Sequence, residues 1–162
     1  MAGIAGIFGA GASAEAVREM AEALRHRGPD SLHFVEGNDY AAVCCEMHVS
    51  RQRRWAYAGG DRELVLLDAV LLNRRDAQRT DSELLRELLS VHGPSCVERL
   101  RGTFAVAVAS RDRLLLARDS LGMRRLYYPQ QKGTVWFASE KRALRRCGIE
   151  PTELQPGTSY SP

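Results

Sequence analysis

Two Gly-Pro pairs, at residues 28–29 and 93–94, end two amphipathic segments of this sequence. Glycine and proline are the two strongest helix breakers, and together they stop a helix sharply. Residues 13–25 before the first pair carry apolar side chains at helical spacing, and so do residues 82–91 before the second. Asp81 is the candidate N-cap of the second segment. We therefore predict two helices of limited length.

Short apolar runs bounded by turn residues fill most of the remaining sequence. Runs of four to eight such residues between Gly, Pro, Asn or Asp favour strands over helices. Few helices and many short strands are typical of an α+β fold, in which helices cover two antiparallel sheets. We predict strands at 4–8, 32–36, 40–47, 63–67, 104–109, 114–117, 126–128 and 135–138, and a short closing helix at 140–146.

The length of 162 residues predicts one domain with a sizeable core. We place this domain at residues 1–150. Residues 151–162 contain three prolines and are interpreted as a tail or the start of a linker.

The charge pattern argues against two classes of partner. The net charge is only +3, and arginine clusters such as residues 51–54 lack the interleaved aromatic side chains that stack on bases. No apolar run approaches the thickness of a bilayer, and the apolar N-terminus is too short for a secretion signal. We expect a cytoplasmic protein that binds neither nucleic acid nor membrane.

Residues 9–14 offer a competing interpretation as a dinucleotide-binding loop, because their glycines follow a predicted strand and open a predicted helix. Asp30 lies at a suitable distance along the chain for a ribose contact. The Gly-Pro pair at residues 28–29, however, separates that helix from the next strand. The pattern therefore disfavours a nucleotide site.

The four cysteines do not predict a metal site. None of them, Cys44, Cys45, Cys96 and Cys147, forms a pair with the two-residue spacing of zinc ligands. We interpret them as buried thiols, and we expect no cofactor and no metal.

Five stretches of the sequence resemble the N-terminal domain of asparagine synthetases, a class II glutamine amidotransferase domain. Each stretch is short, but five in the same order are specific. The resemblance implies a four-layer αββα N-terminal-nucleophile sandwich of two antiparallel sheets. The stretches are residues 3–9, 26–30, 100–107, 116–128 and 137–144, and residues 80–83 resemble the acidic helix start of that family.

The resemblance also implies a chemistry for active members. An N-terminal cysteine attacks the side-chain amide of glutamine, and ammonia leaves. An asparagine side chain and a glycine N–H stabilise the oxyanion of the tetrahedral intermediate. An arginine binds the substrate carboxylate, and an aspartate binds its α-amine.

This sequence departs from that pattern at most of the site. Ala2 stands where the resemblance implies the nucleophilic cysteine, and Asp68 and Ala69 stand where it implies the Asn-Gly pair. An ionised carboxylate accepts hydrogen bonds and donates none. Arg51, or its neighbour Arg53, is the candidate for the substrate carboxylate. Asp81 matches the aspartate that binds the α-amine.

Residues 68–76 also resemble the corresponding stretch of β-lactam synthetases and lasso-peptide cyclases. Those relatives use ATP to form an amide from an amine that is already present, so they need no ammonia. In the same family the turn containing Arg118, Asp119 and Gly122 packs the sheet core. We expect His26 and Asp30 to stabilise a loop rather than to act in catalysis.

Three hypotheses follow. The leading one is a module, not an enzyme by itself, that serves an ATP-dependent amide-forming synthetase as a structural or partner domain. The second is a glutamine-hydrolysing amidotransferase domain in which Ala2 is an engineered or erroneous replacement of cysteine. The third is a stand-alone binding or scaffold protein. The serine- and glycine-rich loop that binds ATP is missing from the sequence, so we expect the synthetase as a separate domain or subunit, and a homodimer is left open.

Overall fold

The structure is a computed structural model that describes residues 2–48, 57–60, 63–73, 79–110, 113–131 and 133–162. The strands of these residues form two antiparallel sheets of five strands each. No helix in this described part of the chain is long and apolar enough to cross a membrane.

Runs of consecutive strands separate the helices, which is the order of an α+β fold. The helices are α1 (Ala14–Leu24), α2 (Asp81–His92) and α3 (Lys141–Arg146), and 3-10 segments at Arg25–Arg27 and Gly93–Arg99 follow the first two. The strands are β1 (Ala2–Gly9), β2 (Ser31–Glu36), β3 (Tyr40–Glu46), β4 (Tyr57–Gly60), β5 (Glu63–Leu71), β6 (Gly102–Ser110), β7 (Arg113–Arg118), β8 (Gln130–Gln131), β9 (Thr134–Ala138) and β10 (Ser159–Tyr160).

Alternating side chains of the strands build three apolar layers. The first sheet has the order β2-β3-β1-β9-β8, and the second has the order β10-β7-β6-β5-β4. Ile4 of β1 and Leu66 of β5 belong to the core between the two sheets. Ile7 packs with α1 and α3 on one outer face, and Leu67 packs with α2 on the other. The four-layer αββα sandwich that the resemblance implied is therefore confirmed.

Helix α2 begins differently from the prediction. The N-cap is Thr80, whose hydroxyl accepts from the Glu83 N–H, while the Glu83 carboxylate accepts from the Thr80 N–H. Such a capping box needs a Ser or Thr three residues before a Glu or Gln, and only Thr80 has that spacing here. The prediction that Asp81 caps the helix is wrong, since Asp81 is its first residue.

The predicted strand at residues 126–128 is also wrong. Within these three residues only Tyr127 forms β-bridges, one with Ala138 and one with Glu153. Pro129 follows closely and has no N–H to extend a ladder.

The dinucleotide alternative fails on topology. Strand β1, which ends at Gly9, is antiparallel to both of its neighbours, β3 and β9. A dinucleotide loop of that type belongs to a βαβ unit with parallel strands.

Residues 151–162 pack along the second sheet. Leu154 is buried in the core between the sheets, and β10 pairs antiparallel with β7. The Arg118 guanidinium donates to the Glu153 carboxylate at 2.8 Å and to the Leu154 carbonyl at 2.7 Å. This segment therefore contributes contacts to the core. The domain boundary at residue 150 stays a prediction.

Candidate functional site

Ala2 and Asp68 are in direct contact across the two sheets. The Ala2 backbone N–H donates to Asp68 Oδ1 at 3.1 Å. Leu64 and Leu66 of β5 face the core between the sheets, so the period of two along a strand directs Asp68 to the same side. The side chain of Asp68 is only 1% exposed. Two positions that the sequence assigned to one site therefore meet.

Two arginines neutralise the buried Asp68 carboxylate. Arg27 Nη2 lies 2.7 Å from Oδ2, and Arg124 Nη1 lies 3.2 Å from Oδ1. A buried carboxylate is stable only when charged partners and hydrogen bonds replace the water that it loses. Asp68 meets this requirement, because its carboxylate oxygens contact the Ala2 N–H and the two guanidinium groups. In all of these contacts the carboxylate is the acceptor.

Arg27 connects Asp68, the start of β1 and Glu140, using a different side-chain nitrogen for each. Its Nε donates to the Ala2 carbonyl at 3.0 Å, and its Nη1 donates to Glu140 Oε1 at 3.2 Å. The next residue, Gly28, approaches β3 so closely that a Cβ there would lie 2.2 Å from the backbone of Cys45. The glycine lets the turn after α1 pack close enough for Arg27 to reach the site.

Glu140 is the second carboxylate of this group and occupies the N-cap position of α3. Its Oε1 accepts from His26 Nε2 at 2.9 Å in addition to Arg27, and its Oε2 pairs with Arg142 Nε at 2.9 Å. Partial burial raises the pKa of Glu140, but the bonds and charges of Arg27, His26 and Arg142 outweigh it and lower the pKa overall. We call Ala2, Arg27, Asp68, Arg124 and Glu140 the Asp68 cluster.

The turn at residues 119–124 holds Arg124 in place. Asp119 accepts from the N–H groups of Phe104 at 3.1 Å and of Arg124 at 3.3 Å. Arg118 donates to the carbonyls of Gly122 at 2.8 Å and Arg124 at 2.6 Å. These residues act through packing and hydrogen bonds around the turn, as we interpreted them from the sequence.

The other predicted site residues lie apart from this cluster or outside the described residues. The Ala69 side chain packs on the α2 side of the second sheet, opposite to Asp68. Asp81 is buried at the start of α2, and its Oδ2 accepts from the Leu71 N–H at 3.4 Å. Arg51 and Arg53 lie outside the described residues.

The end of β3 places a further carboxylate beside Ala2. Glu46 pairs with Ala2 in the strand register and is 4% exposed. Its Oε2 lies 3.3 Å from His33 Nε2 and 3.4 Å from His48 Nε2. The His48 N–H donates to Asp30 at 2.6 Å, so Asp30 stabilises this loop.

Among the described residues, no group of three His, Cys, Asp or Glu side chains could hold a metal ion.

Cys44 and Cys45 are poorly suited to act as nucleophiles. Both side chains are fully buried. Burial and then the charge of Glu46 raise the pKa of Cys44, and burial and then the charge of Glu22 raise the pKa of Cys45 to about 12. Because the thiolate is the reactive form of cysteine, these thiols are inert near neutral pH.

Sequence reasoning missed Arg27, Arg124 and Glu140 as partners of the site. All three lie inside stretches that carried the family resemblance, Arg27 in 26–30, Arg124 in 116–128 and Glu140 in 137–144. Their positions in those stretches were the only available signal, since no periodicity relates residues from such distant segments.

Comparison with known proteins gives this site its context. Residues 66–146, half of the chain, match the family described as the glutamine amidotransferase domain. The chain belongs to this family. Over 99% of its length, the amidotransferase domain is 29% identical to asparagine synthetase [glutamine-hydrolyzing] 2 of Arabidopsis thaliana and 30% identical to asparagine synthetase [glutamine-hydrolyzing] 3 of the same plant. It is a class II glutamine amidotransferase domain related to the asparagine synthetases.

The amidotransferase domain spans only part of these relatives. It covers 31% of each of the two Arabidopsis proteins. It also matches asparagine synthetase [glutamine-hydrolyzing] 3 of Bacillus subtilis (strain 168) with 28% identity, over 77% of its own length and 24% of that relative.

Solved structures share the fold of the amidotransferase domain. Glutamine phosphoribosylpyrophosphate amidotransferase from B. subtilis, complexed with ADP and GMP, superimposes with a TM-score of 0.76 and 16% identity. The match covers 98% of the domain and 46% of that chain. A structure described as the allosteric regulatory enzyme of purine biosynthesis gives a TM-score of 0.74 at the same identity. At this identity the likeness establishes the N-terminal-nucleophile sandwich alone.

Proposed function

We propose that this amidotransferase domain does not hydrolyse glutamine and serves an ATP-dependent amide-forming synthetase as a structural or partner module. One observation carries the proposal: the Asp68 carboxylate binds the Ala2 N–H and two arginines where an active site needs a thiol and an oxyanion donor. A methyl group cannot attack an amide or form an acyl-enzyme.

The electrostatics of the Asp68 cluster support the loss of activity. An oxyanion needs donors that are preorganised and unoccupied. Arg27 already donates to Asp68, Glu140 and the Ala2 carbonyl, and Arg124 pairs with Asp68. The positive charges of both arginines are therefore already paired with carboxylates of the cluster.

The partner in this proposal follows from the relatives. Asparagine synthetases with the same domain are about three times longer than the matched region, so a further unit accompanies the domain in those proteins. The stretch at residues 68–76 resembles β-lactam synthetases and lasso-peptide cyclases, which form an amide without ammonia. A domain of that kind keeps its scaffold when the glutaminase chemistry is no longer needed.

Ammonia release from glutamine tests the proposal. The purified protein should release no ammonia above buffer, while a glutamine-hydrolysing asparagine synthetase assayed alongside should release it. Turnover by this protein would overturn the proposal. Peptide sequencing of the protein from its natural source should find alanine at position 2; cysteine there would restore the glutaminase hypothesis. Co-purification with a synthetase separates a partner module from a stand-alone scaffold.

A further inference from the structure

Three large apolar side chains are exposed at one end of the second sheet. This is the end at which β6 begins, and Asp68 lies near it in β5. Leu72 is 76% exposed, Leu121 is 76% exposed and Met123 is 67% exposed. Isolated apolar residues on a surface are ordinary, but several gathered at one end of a sheet mark an interaction site. We call Leu72, Leu121 and Met123 the apolar rim.

Backbone hydrogen bonds place these residues on both sides of the start of β6. The Leu72 N–H donates to the Arg101 carbonyl at 2.7 Å, just before β6 begins. On the other side of β6, the Asp119 N–H donates to the Phe104 carbonyl at 2.9 Å, and this bond anchors the turn that bears Leu121 and Met123.

The apolar rim stands on well-anchored backbone, so its exposure is not a feature of a loose loop. Asn73 follows Leu72 and is bound at both ends of its side chain, donating to the Arg99 carbonyl at 3.0 Å and accepting from the Arg101 N–H at 3.1 Å. A preformed surface binds a partner with less loss of conformational entropy than a disordered one.

Basic residues adjoin the segments that bear the apolar rim. Arg99, Arg101 and Arg125 are exposed, and none of them forms an ion pair with another described residue. Arginine is enriched at protein interfaces, where its fork pairs with carboxylates of the partner. The surface therefore fits a partner that is apolar at its centre and acidic at its edge.

We propose that the apolar rim is the surface on which the synthetase docks, with carboxylates of the synthetase pairing with the three arginines. This inference rests on the proposed function, because the relatives of this domain are synthetases that extend well beyond it. Arg124 lies in the same turn as Leu121 and Met123 and pairs with Asp68, so the docking surface is attached to the former catalytic site.

Binding measurements with a purified synthetase test this surface. The probe is the amide-forming synthetase encoded beside this protein or, if both are one polypeptide, the remaining part expressed as a separate chain. The double change Leu121→Ser and Met123→Ser should raise its Kd at least about tenfold, since truncating central apolar contacts is costly. Val91→Ser is the matched control, because Val91 is 68% exposed at the end of α2, and it should leave Kd unchanged.

One further variant and a cross-link complete the test. Arg101→Glu should weaken binding and reduce its dependence on salt, because it replaces one of three attractive charges by a repulsive one. A photo-cross-linker at position 121 should capture the synthetase. Capture of a second copy of this chain would show a homodimer surface and overturn the inference.

Failure of the inference differs from failure of the proposed function. Equal Kd values for the wild type and the Leu121→Ser, Met123→Ser variant would mean that the synthetase binds another face. No binding of the synthetase to the wild type would instead remove the partner role itself.

Discussion

The backbone N–H of Ala2 donates to the buried carboxylate of Asp68, with an N–O distance of 3.1 Å. These residues begin β1 and lie within β5, so the bond joins the two sheets of the sandwich. It also joins the two positions at which the family resemblance led us to expect a departure from a glutaminase site. The hydrogen bond to Asp68 therefore holds the backbone of Ala2 in place.

Removing the Asp68 carboxylate should destabilise the protein strongly. Asp68→Ala leaves Arg27 and Arg124 without their shared partner, and breaking a buried ion pair costs about 3 kcal/mol or more. The free energy of unfolding in urea measures this loss. Glu22→Ala, which breaks an exposed pair with Arg25, is the control and should cost about 0.5 kcal/mol or less. Equal losses in the two variants would show that the Asp68 cluster has no stabilising role.

Restoring the thiol alone should not restore glutaminase activity. Ala2→Cys supplies the nucleophile, but Asp68 still offers only acceptors and still occupies Arg27 and Arg124. Adding Asp68→Asn supplies a donor and frees both arginines, and an oxyanion donor is worth about a hundredfold in rate. Adding Ala69→Gly as well should relax the backbone for the second donor.

Ammonia release from glutamine measures these rates, with intact mass spectrometry to establish that Met1 has been removed. Asp68→Asn by itself is the control and should remain inactive. Efficient hydrolysis by the single Ala2→Cys variant would contradict natural loss of the site and favour a recent or engineered alanine.

The native protein should resist thiol reagents at Cys44, Cys45 and Cys96, which are buried, and react at the half-buried Cys147. Burial raises the pKa of Cys45 to about 12, above the ordinary value near 8.5. A raised pKa contributes stability that is complete below about pH 8.5 and is lost as the pH rises towards 12. Thiol modification at pH 8, followed by peptide mapping before and after denaturation, measures how fast each cysteine reacts. Rapid modification of Cys44 or Cys45 in the folded protein would reopen them as nucleophiles.

Glu140 should make the protein sensitive to acid. Its pKa is lowered in the folded state, so its contribution to stability is present above the unfolded value of about 4.3 and is lost as the pH falls through the folded value. Unfolding free energies between pH 3 and 7 should therefore differ between wild type and Glu140→Gln most above about pH 4.3. A difference between them that does not change with pH would exclude this ionisation as its source.

The segment at residues 151–162 should contribute to stability although the sequence suggested a tail. Leu154→Ala removes a side chain that is 3% exposed and should cost about 3 kcal/mol. Gln155→Ala, next to it and exposed, should change the free energy of unfolding by less than about 0.5 kcal/mol. Equal effects would mean that the segment is a linker after all.

Local sequence signals determined most of the secondary structure. The two Gly-Pro pairs lie just after the helices that they were expected to end, and α1 begins after its cap Ser13, within the amphipathic segment 13–25. The signals failed where two of them competed. Thr80 and Asp81 can both cap a helix, and the spacing of Thr80 to Glu83 decided between them.

The sequence by itself determined the family and the αββα fold, because motif order and strand periodicity are properties of the chain. The family resemblance also directed attention to Ala2 and Asp68. Only the tertiary structure decided what Asp68 does there. Arg27 and Arg124 reach it from a turn after α1 and a turn after β7, and no local pattern relates those segments. A buried charge takes its character from the charges packed around it, and only folding brings those charges together.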